Sequence, residues 1–202
     1  MRAAVIRAAA VVMLGLGMSA WAGTPVDNTN DMIECDTVIA VASSKPAFVI
    51  GGIASTLVKV KGTVVGIDVN AGLAVSGSFS GTLTRTSNDC LFLAGTSPLT
   101  GSLVFKWKSL DPTHSLTQPT STVNVTTITG GSFAPGGSFG PAFYLTFTLG
   151  ISGVTGGFTG GDGGTTSSNT LVMSQDVGAF LNGCQGAGFK TFNLGLGTIT
   201  LQ

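Results

Sequence analysis

Charged side chains are scarce in this chain, since Lys, Arg, Asp and Glu together make up 9% of its 202 residues. After residue 22 the chain has seven basic and nine acidic residues, so this part is nearly neutral. No cluster of basic residues indicates a nucleic-acid partner, and no acidic run indicates a solvated tail. Ser and Thr occupy the positions that charged residues usually fill at a protein surface.

Groups that carry chemistry are equally scarce. His114 is the only histidine, and it lies in a proline-flanked connection that is typical of a solvated loop. Metal sites need clustered ligands, which one histidine and three scattered cysteines do not supply. Two of the three residues Asp111, Asp162 and Asp176 could meet as a catalytic carboxylate pair, but a turn or a helix cap accounts for each of them. We therefore predict that the protein is not an enzyme and needs neither a cofactor nor a metal.

The amino terminus carries the pattern of a secretory signal peptide. Arg2 and Arg7 precede an apolar run, Ala8 to Met18, that is too short to span a membrane. Ala20-Trp21-Ala22 is a small-x-small cleavage sequence. We predict cleavage after Ala22, a flexible lead-in over residues 23–31 and a single β domain over 32–202. The mature protein is then expected to be extracellular or held in the cell envelope.

One stretch, Gly72 to Thr86, organises the rest of the chain. Every second residue from Leu73 to Leu83 is apolar or Gly, and the residues between them are Ala, Ser and Thr. This period of two predicts a β-strand with one dry and one wet face. Its length indicates a strand that bends around a core, and Gly77 and Gly81 on the dry face allow either a bend or the close approach of another layer.

Similar alternation recurs along the chain. It runs from Leu99 to Trp107 and from Phe143 to Ile151, while a segment near Phe180 has the spacing of a short helix. We predict an all-β fold: a single antiparallel, strongly bent β-barrel of roughly eight to ten strands, with one short helix near the carboxyl terminus that plugs one end. A two-sheet β-sandwich is the alternative.

Two stretches resemble each other and suggest a degenerate two-fold repeat, although chance similarity in a Gly-rich chain also explains them. Val75 to Gly81 has a counterpart in Val154 to Gly160, and each is followed by a cysteine, Cys90 or Cys184. In an oxidising compartment three cysteines give one disulfide and one odd thiol. The equivalent positions favour a disulfide between Cys90 and Cys184, which leaves Cys35 as a buried free thiol.

Four motifs resemble those of a family of small secreted β-rich proteins that is common in actinobacteria: GSFSGTLTRTSNDC, GSLVFKWK, VTGGFTGGDGG and LGLGTITL. The likeness covers most of the chain from Cys35 onward. It implies the secreted β-rich class and implies no activity.

Three functions fit these features. The first is a non-catalytic secreted or envelope protein whose binding partner is unknown. The second is a carrier of a small apolar ligand inside the barrel, lined by Phe79, Phe105, Phe147 and Phe158. The third, an outer-membrane β-barrel, is disfavoured because the chain lacks the aromatic girdles of such barrels. The loop around Asp162 is unusual, but a tight turn explains it better than a Ca²⁺ site.

Overall fold

The computed structural model describes residues 23–90, 95–135, 143–160, 169–173 and 177–201. The predicted signal peptide, Asp162 and Asp176 lie outside these ranges. The described elements are, in chain order, Thr24–Val26 (β1), Ile33–Phe48 (β2), Thr56–Asp68 (β3), Leu73–Arg85 (β4), Thr96–Ser109 (β5), His114–Leu116 (β6), Thr120–Pro135 (β7), Phe143–Gly156 (β8), Asn169–Met173 (β9), Val177–Gln185 (α1) and Phe189–Leu201 (β10).

Eight of these strands form one antiparallel sheet that closes on itself in the order β10-β2-β3-β4-β5-β7-β8-β9. The ring is completed because β10 pairs with β2 on one side and with β9 on the other. The predicted all-β class, the antiparallel pairing and the number of strands are confirmed. The eight strands of the ring form one continuous sheet, which differs from the two packed sheets of a sandwich. We call this ring the closed sheet.

The alternation around β4 sets the inner and outer faces as predicted. Phe79 and Leu83 are buried inside the closed sheet, whereas Ser78 and Thr82 are exposed on its outer face. The same division holds on β3, where Val58 and Val60 face inward between exposed lysines. A continuous apolar core therefore fills the ring, with contributions from every strand of the closed sheet.

The set of β2 side chains that face inward changes partway along the strand, so simple alternation predicts only the first part of it. The sequence places Ile33, Cys35, Ile39 and Val41 on one face, but the pairing with β3 shifts between Cys35 and Thr37. Such a bulge inserts one residue and moves all later side chains to the opposite face. Ile39 is consequently 59% exposed, while Val38, Ala40 and Ala42 enter the core.

Lys45-Pro46 is predicted to end β2, and that prediction is wrong. The strand continues to Phe48 across a cis Lys45–Pro46 peptide bond. Pro46 has no backbone N–H to donate, but its carbonyl accepts a hydrogen bond of 2.8 Å from the Thr56 hydroxyl. This contact connects the end of β2 to the start of β3.

The lead-in over residues 23–31 packs against the rest of the protein instead of forming the expected loose arm. β1 pairs in parallel with β6, and the side chain of Asn28 is fully buried. Its amide exchanges two hydrogen bonds with the backbone of Gln118, at 2.8 and 2.9 Å. These contacts cover one end of the closed sheet, which we call the tryptophan end because Trp107 lies there.

The helix α1 lies at the opposite end, the helix end, as predicted. Phe180 on α1 is fully buried and packs edge-to-face on Phe189, with ring centroids 4.9 Å apart. Cys184 on the same helix is bonded to Cys90, which confirms the predicted disulfide. A glycine often ends a helix, and Gly183 is predicted to end this one. The helix α1 instead continues past it to Gln185.

The two stretches of the suggested repeat have different backbones. Val75 to Gly81 lies wholly within β4, whereas the second stretch leaves β8 at Gly156 and turns at Phe158. Phe158 has a positive φ of 54°, a left-handed conformation that is costly for a bulky residue. Cys90 follows a strand and Cys184 lies on a helix, so the correct pairing does not depend on equivalent positions.

Candidate functional site

The interior of the closed sheet contains a cavity of about 80 Å³. All eight strands of the ring contribute side chains to its wall, and the wall surface is entirely apolar. The cavity extends from Phe79, near the middle of the sheet, toward Phe48 and Phe192 at the helix end. Native cores contain few voids larger than a water molecule, so this cavity is the first candidate for a binding site.

The four phenylalanines predicted to line a ligand site separate into two groups. Phe79 and Phe147 line the cavity as predicted. Phe105 does not, because it is stacked between Phe79 and Trp107, with centroids 4.9 and 5.2 Å away. Phe158 does not line it either, since it packs edge-to-face on Trp107 at 5.4 Å. Phe105 and Phe158 instead pack around Trp107 and close the tryptophan end.

Hydrogen bonds hold that aromatic stack in place. The indole N–H of Trp107 donates to the hydroxyl of Ser121 at 2.8 Å, and this hydroxyl donates in turn to the carbonyl of Gly157. The backbone N–H of Phe158 donates to the carbonyl of Asn28 at 2.7 Å. Buried polar groups need such partners, so the lead-in and the turn after β8 close this end as one unit.

Arg85 is a wall residue that the sequence did not reveal. It ends β4, is 7% exposed and lies over the ring of Phe48 at 5.8 Å. Its Nη1 donates to the carbonyls of Asp89 and Ser87, at 2.8 and 3.1 Å. Burial lowers the pKa of its guanidinium, and nearby Asp89 acts in the opposite direction. Arg85 contributes its carbon atoms to the cavity and its polar head to the neighbouring turn.

Backbone and side-chain bonds fasten the helix end around this turn. The amide of buried Asn88 donates to the Ala47 carbonyl at 2.7 Å and accepts from the Ala54 N–H at 3.0 Å. The N–H of Ile50 donates to the carbonyl of Cys184 at 3.3 Å. The disulfide adds a covalent bond between this network and α1. Access to the cavity from the helix end therefore depends on how firmly α1 is held.

Cys35 is the free thiol, as predicted, and it is buried on β2 with 2% of its surface exposed. Burial, and to a lesser extent Asp36, raises the pKa of this thiol to about 12. Because the thiolate is the reactive form, such a thiol is inert at neutral pH. The residue acts as a small apolar side chain in the core.

The Nδ1 of His114 lies within hydrogen-bond distance of Asp111, 2.8 Å from a carboxylate oxygen. The hydroxyl of Thr113 contacts the same ring nitrogen at 3.0 Å. A catalytic triad needs the carboxylate on one ring nitrogen and the nucleophile on the other, and both contacts here use one nitrogen. The hydrogen bonds from Thr113, followed by that to His114, lower the pKa of Asp111. This cluster stabilises the turn before β6.

Within the described ranges, no three His, Cys, Asp or Glu residues come close enough to hold a metal ion. None of the described helices has the length and apolar character needed to cross a membrane.

Comparisons of the chain with protein-family models, with curated proteins and with solved structures found no match. The resemblance to secreted actinobacterial proteins therefore stays a prediction.

Proposed function

We propose that this is a non-catalytic binding protein, and that the closed sheet takes up a small apolar molecule. The observation that supports this proposal is the apolar cavity to which every strand of the ring contributes. Apolar cavities of about 150 Å³ can bind benzene, so the space of about 80 Å³ suits a ligand smaller than benzene. A larger ligand would have to displace Phe79 or Phe147.

The energetic cost of an empty cavity favours a binding role over a purely structural one. At about 24 cal/mol per Å³, a void of about 80 Å³ costs about 2 kcal/mol. Small residues such as Ala42, Val58 and Val60 form part of the wall, and larger apolar residues there would fill it. A chain selected only for stability has little reason to keep such a space, whereas a ligand would fill it and recover the lost contacts.

The setting we propose is the cell exterior or the envelope, reached after cleavage near Ala22. The disulfide between Cys90 and Cys184 supports an oxidising compartment. An outer-membrane barrel is less well supported, because strands that span a membrane face lipid with apolar side chains. Here the outward face of β3 and β4 carries lysines, serines and threonines beside the apolar Leu57, Val65 and Ile67, and so is not a continuous apolar band.

Native mass spectrometry of protein purified from its own host tests the proposal. We expect a bound mass that is lost on unfolding. Ala42→Leu places a larger side chain in the cavity and is expected to abolish the bound mass. Ala74→Leu, the same exchange at an exposed position of β4, is the matched control and should keep it. Val60→Leu provides a second filling variant if Ala42→Leu fails to fold.

Two results would contradict the proposal. One is wild-type protein without bound mass combined with an Ala42→Leu variant that is more stable by about 1–2 kcal/mol, which would identify the cavity as a simple packing defect. The other is a bound mass that survives in both filling variants, which would place the ligand elsewhere.

A further inference from the structure

The outer face of the closed sheet carries a diagonal series of lysines. On β5 these are Lys108 and Lys106, on β3 they are Lys61 and Lys59, and on β2 the series ends at Lys45. All five side chains are exposed. We call this set the lysine track. No single strand reveals the track, because the five lysines come from three strands that are separate along the chain.

The strand register gives the track its order. Five successive outward-facing rows cross the sheet, and each row contains one of these lysines. Lys108 pairs with Ser76 and Lys106 with Ser78, then Lys61 pairs with Ser80 and Lys59 with Thr82. The fifth row joins Lys45 to Thr84 through Leu57. Successive rows are about 7 Å apart because two residues separate them on each strand, so the track spans about 27 Å.

A line of hydroxyl groups from β4 runs through the same rows, one in each: Ser76, Ser78, Ser80, Thr82 and Thr84. Two concavities of about 440 and 460 Å³ lie over the middle of this line, from Ser78 to Thr82, and share Val41, Lys61 and Ser80 in their walls. They therefore adjoin and form one groove. Its short hydroxyl side chains lie between longer lysine side chains on either side.

Few carboxylates lie on the strands that form the groove. β4 and β5 carry none, β3 carries only Asp68, which is buried at the tryptophan end, and Glu34 and Asp36 of β2 lie at the opposite end of that strand from Lys45. None of the five lysines forms an ion pair with a carboxylate among the described residues. The ammonium groups of the track are thus available to a ligand that approaches from solvent.

We propose that the groove binds a linear acidic polysaccharide, a glycan that carries carboxylate groups along its length. The ammonium groups attract the carboxylates, and the hydroxyls of β4 can exchange hydrogen bonds with sugar hydroxyls. A series of charges at regular spacing along a groove suits an extended polymer. This surface lies outside the closed sheet and is independent of the apolar cavity.

The surroundings of the track favour a glycan over two other polyanions. Single-stranded nucleic acids are usually held by exposed aromatic side chains that stack on bases, and none of the residues lining the two concavities is an exposed aromatic. An anionic membrane is contacted by a basic surface with protruding apolar side chains. Here Ile39 is an exposed apolar side chain in the wall of one concavity, but every row of the track also holds a hydroxyl of β4, which suits a sugar better than a lipid surface.

Binding of polygalacturonate to the whole secreted chain tests the proposal, with neutral dextran of similar length as the control polymer. We expect binding to polygalacturonate that weakens as salt is added, and none to dextran. Lys61→Gln combined with Lys106→Gln should weaken it by about tenfold. The charge-preserving pair Lys61→Arg and Lys106→Arg should stay within about threefold of wild type. Lys190→Gln, on the neighbouring strand β10 and outside both concavities, should stay within about twofold.

Three outcomes would overturn the proposal. The first is equal affinity for polygalacturonate and dextran. The second is the same loss of binding free energy per removed charge in Lys190→Gln, which removes one charge, and in the glutamine pair, which removes two; that result would reduce the effect to net charge. The third is tighter binding to poly(dT) or to phosphatidylglycerol vesicles than to polygalacturonate. None of them bears on the apolar cavity, which is tested separately.

Discussion

At the scale of single residues, Gly77 leaves room for a large ring on the neighbouring strand. It pairs with Trp107 across β4 and β5, and a methyl group added to it would lie 2.6 Å from the indole ring. The sequence allowed a bend or the close approach of another layer at this glycine. The structure instead places the ring of Trp107, from the neighbouring strand of the same sheet, in the space beside it, so the glycine acts as a small packing residue.

Gly77→Ala should therefore destabilise the protein by about 1–3 kcal/mol, since the indole must shift or the strands must separate. Gly153→Ala on β8 is the matched control, because no atom lies within 4 Å of the added methyl group. It should leave the free energy of unfolding within about 1 kcal/mol of wild type. Urea unfolding measures both, and equal effects would contradict the account of Gly77.

Residue types alone did not separate Phe79 and Phe147 from Phe105 and Phe158. All four were predicted inside the fold, and the three with strand alternation were placed correctly. Which of them faces the cavity depends on the neighbour across the sheet, such as Trp107 beside Phe105. Phe158 lies in a turn whose positive φ depends on contacts with residues distant in sequence. No local pattern carries that information.

At the scale of elements, alternation predicted whole strands well and their boundaries less well. β4 matched because its period of two is unbroken. β2 matched only as far as Cys35, since one bulge reverses the faces beyond it. The lysine track was missed for a related reason: i, i+2 spacing on one strand looks unremarkable until the register aligns three strands. Pairing of distant strands is the information that one sequence read locally does not contain.

The disulfide is the main fastening between α1 and the turn after β4. It joins residues 94 positions apart, and the chain-entropy model assigns a crosslink over such a loop about 4–5 kcal/mol. We expect Cys90→Ser combined with Cys184→Ser to lower the free energy of unfolding by about that amount. Cys35→Ala, the control, should cost about 1 kcal/mol. Urea unfolding with and without reductant checks this, since reduced wild type should match the double variant.

At the scale of the whole molecule, the tryptophan end brings two acidic residues together. Asp31 of the lead-in lies beside buried Asp68 of β3, whose oxygen accepts from the N–H groups of Asn70 and Ala71 at 3.1 and 3.0 Å. Burial and then the charge of Asp68 raise the pKa of Asp31. The protonated form of Asp31 is thus the one that the fold favours.

A raised pKa in the folded state has a definite sign for stability. The contribution of Asp31 is fully present below its unfolded pKa, near 3.8, and is lost as the pH rises through the higher folded value. Asp31→Asn should therefore raise the melting temperature at neutral pH by no more than about 3 °C, because the site is partly exposed. The gain should vanish near pH 3, as thermal melts across pH would show.

Asp111→Asn is the control of opposite sign. Hydrogen bonds from Thr113 and His114 lower the pKa of Asp111, so its contribution is present above its unfolded pKa and is lost as the pH falls through the folded value. This variant should melt at a lower temperature than wild type at neutral pH, and the difference should shrink in acid. A gain in both variants at neutral pH would contradict the assignment of Asp31.

The pairing of β10 with β2 also constrains how the protein is made. Leu201 pairs with Ile33, so the ring cannot close before β10 has been synthesised. Until then β2 lacks one of its two partners, and the contact that closes the ring joins strands distant in sequence, which slows folding. An incomplete ring leaves two strand edges unpaired in the meantime, and misassociation with a second chain would begin there.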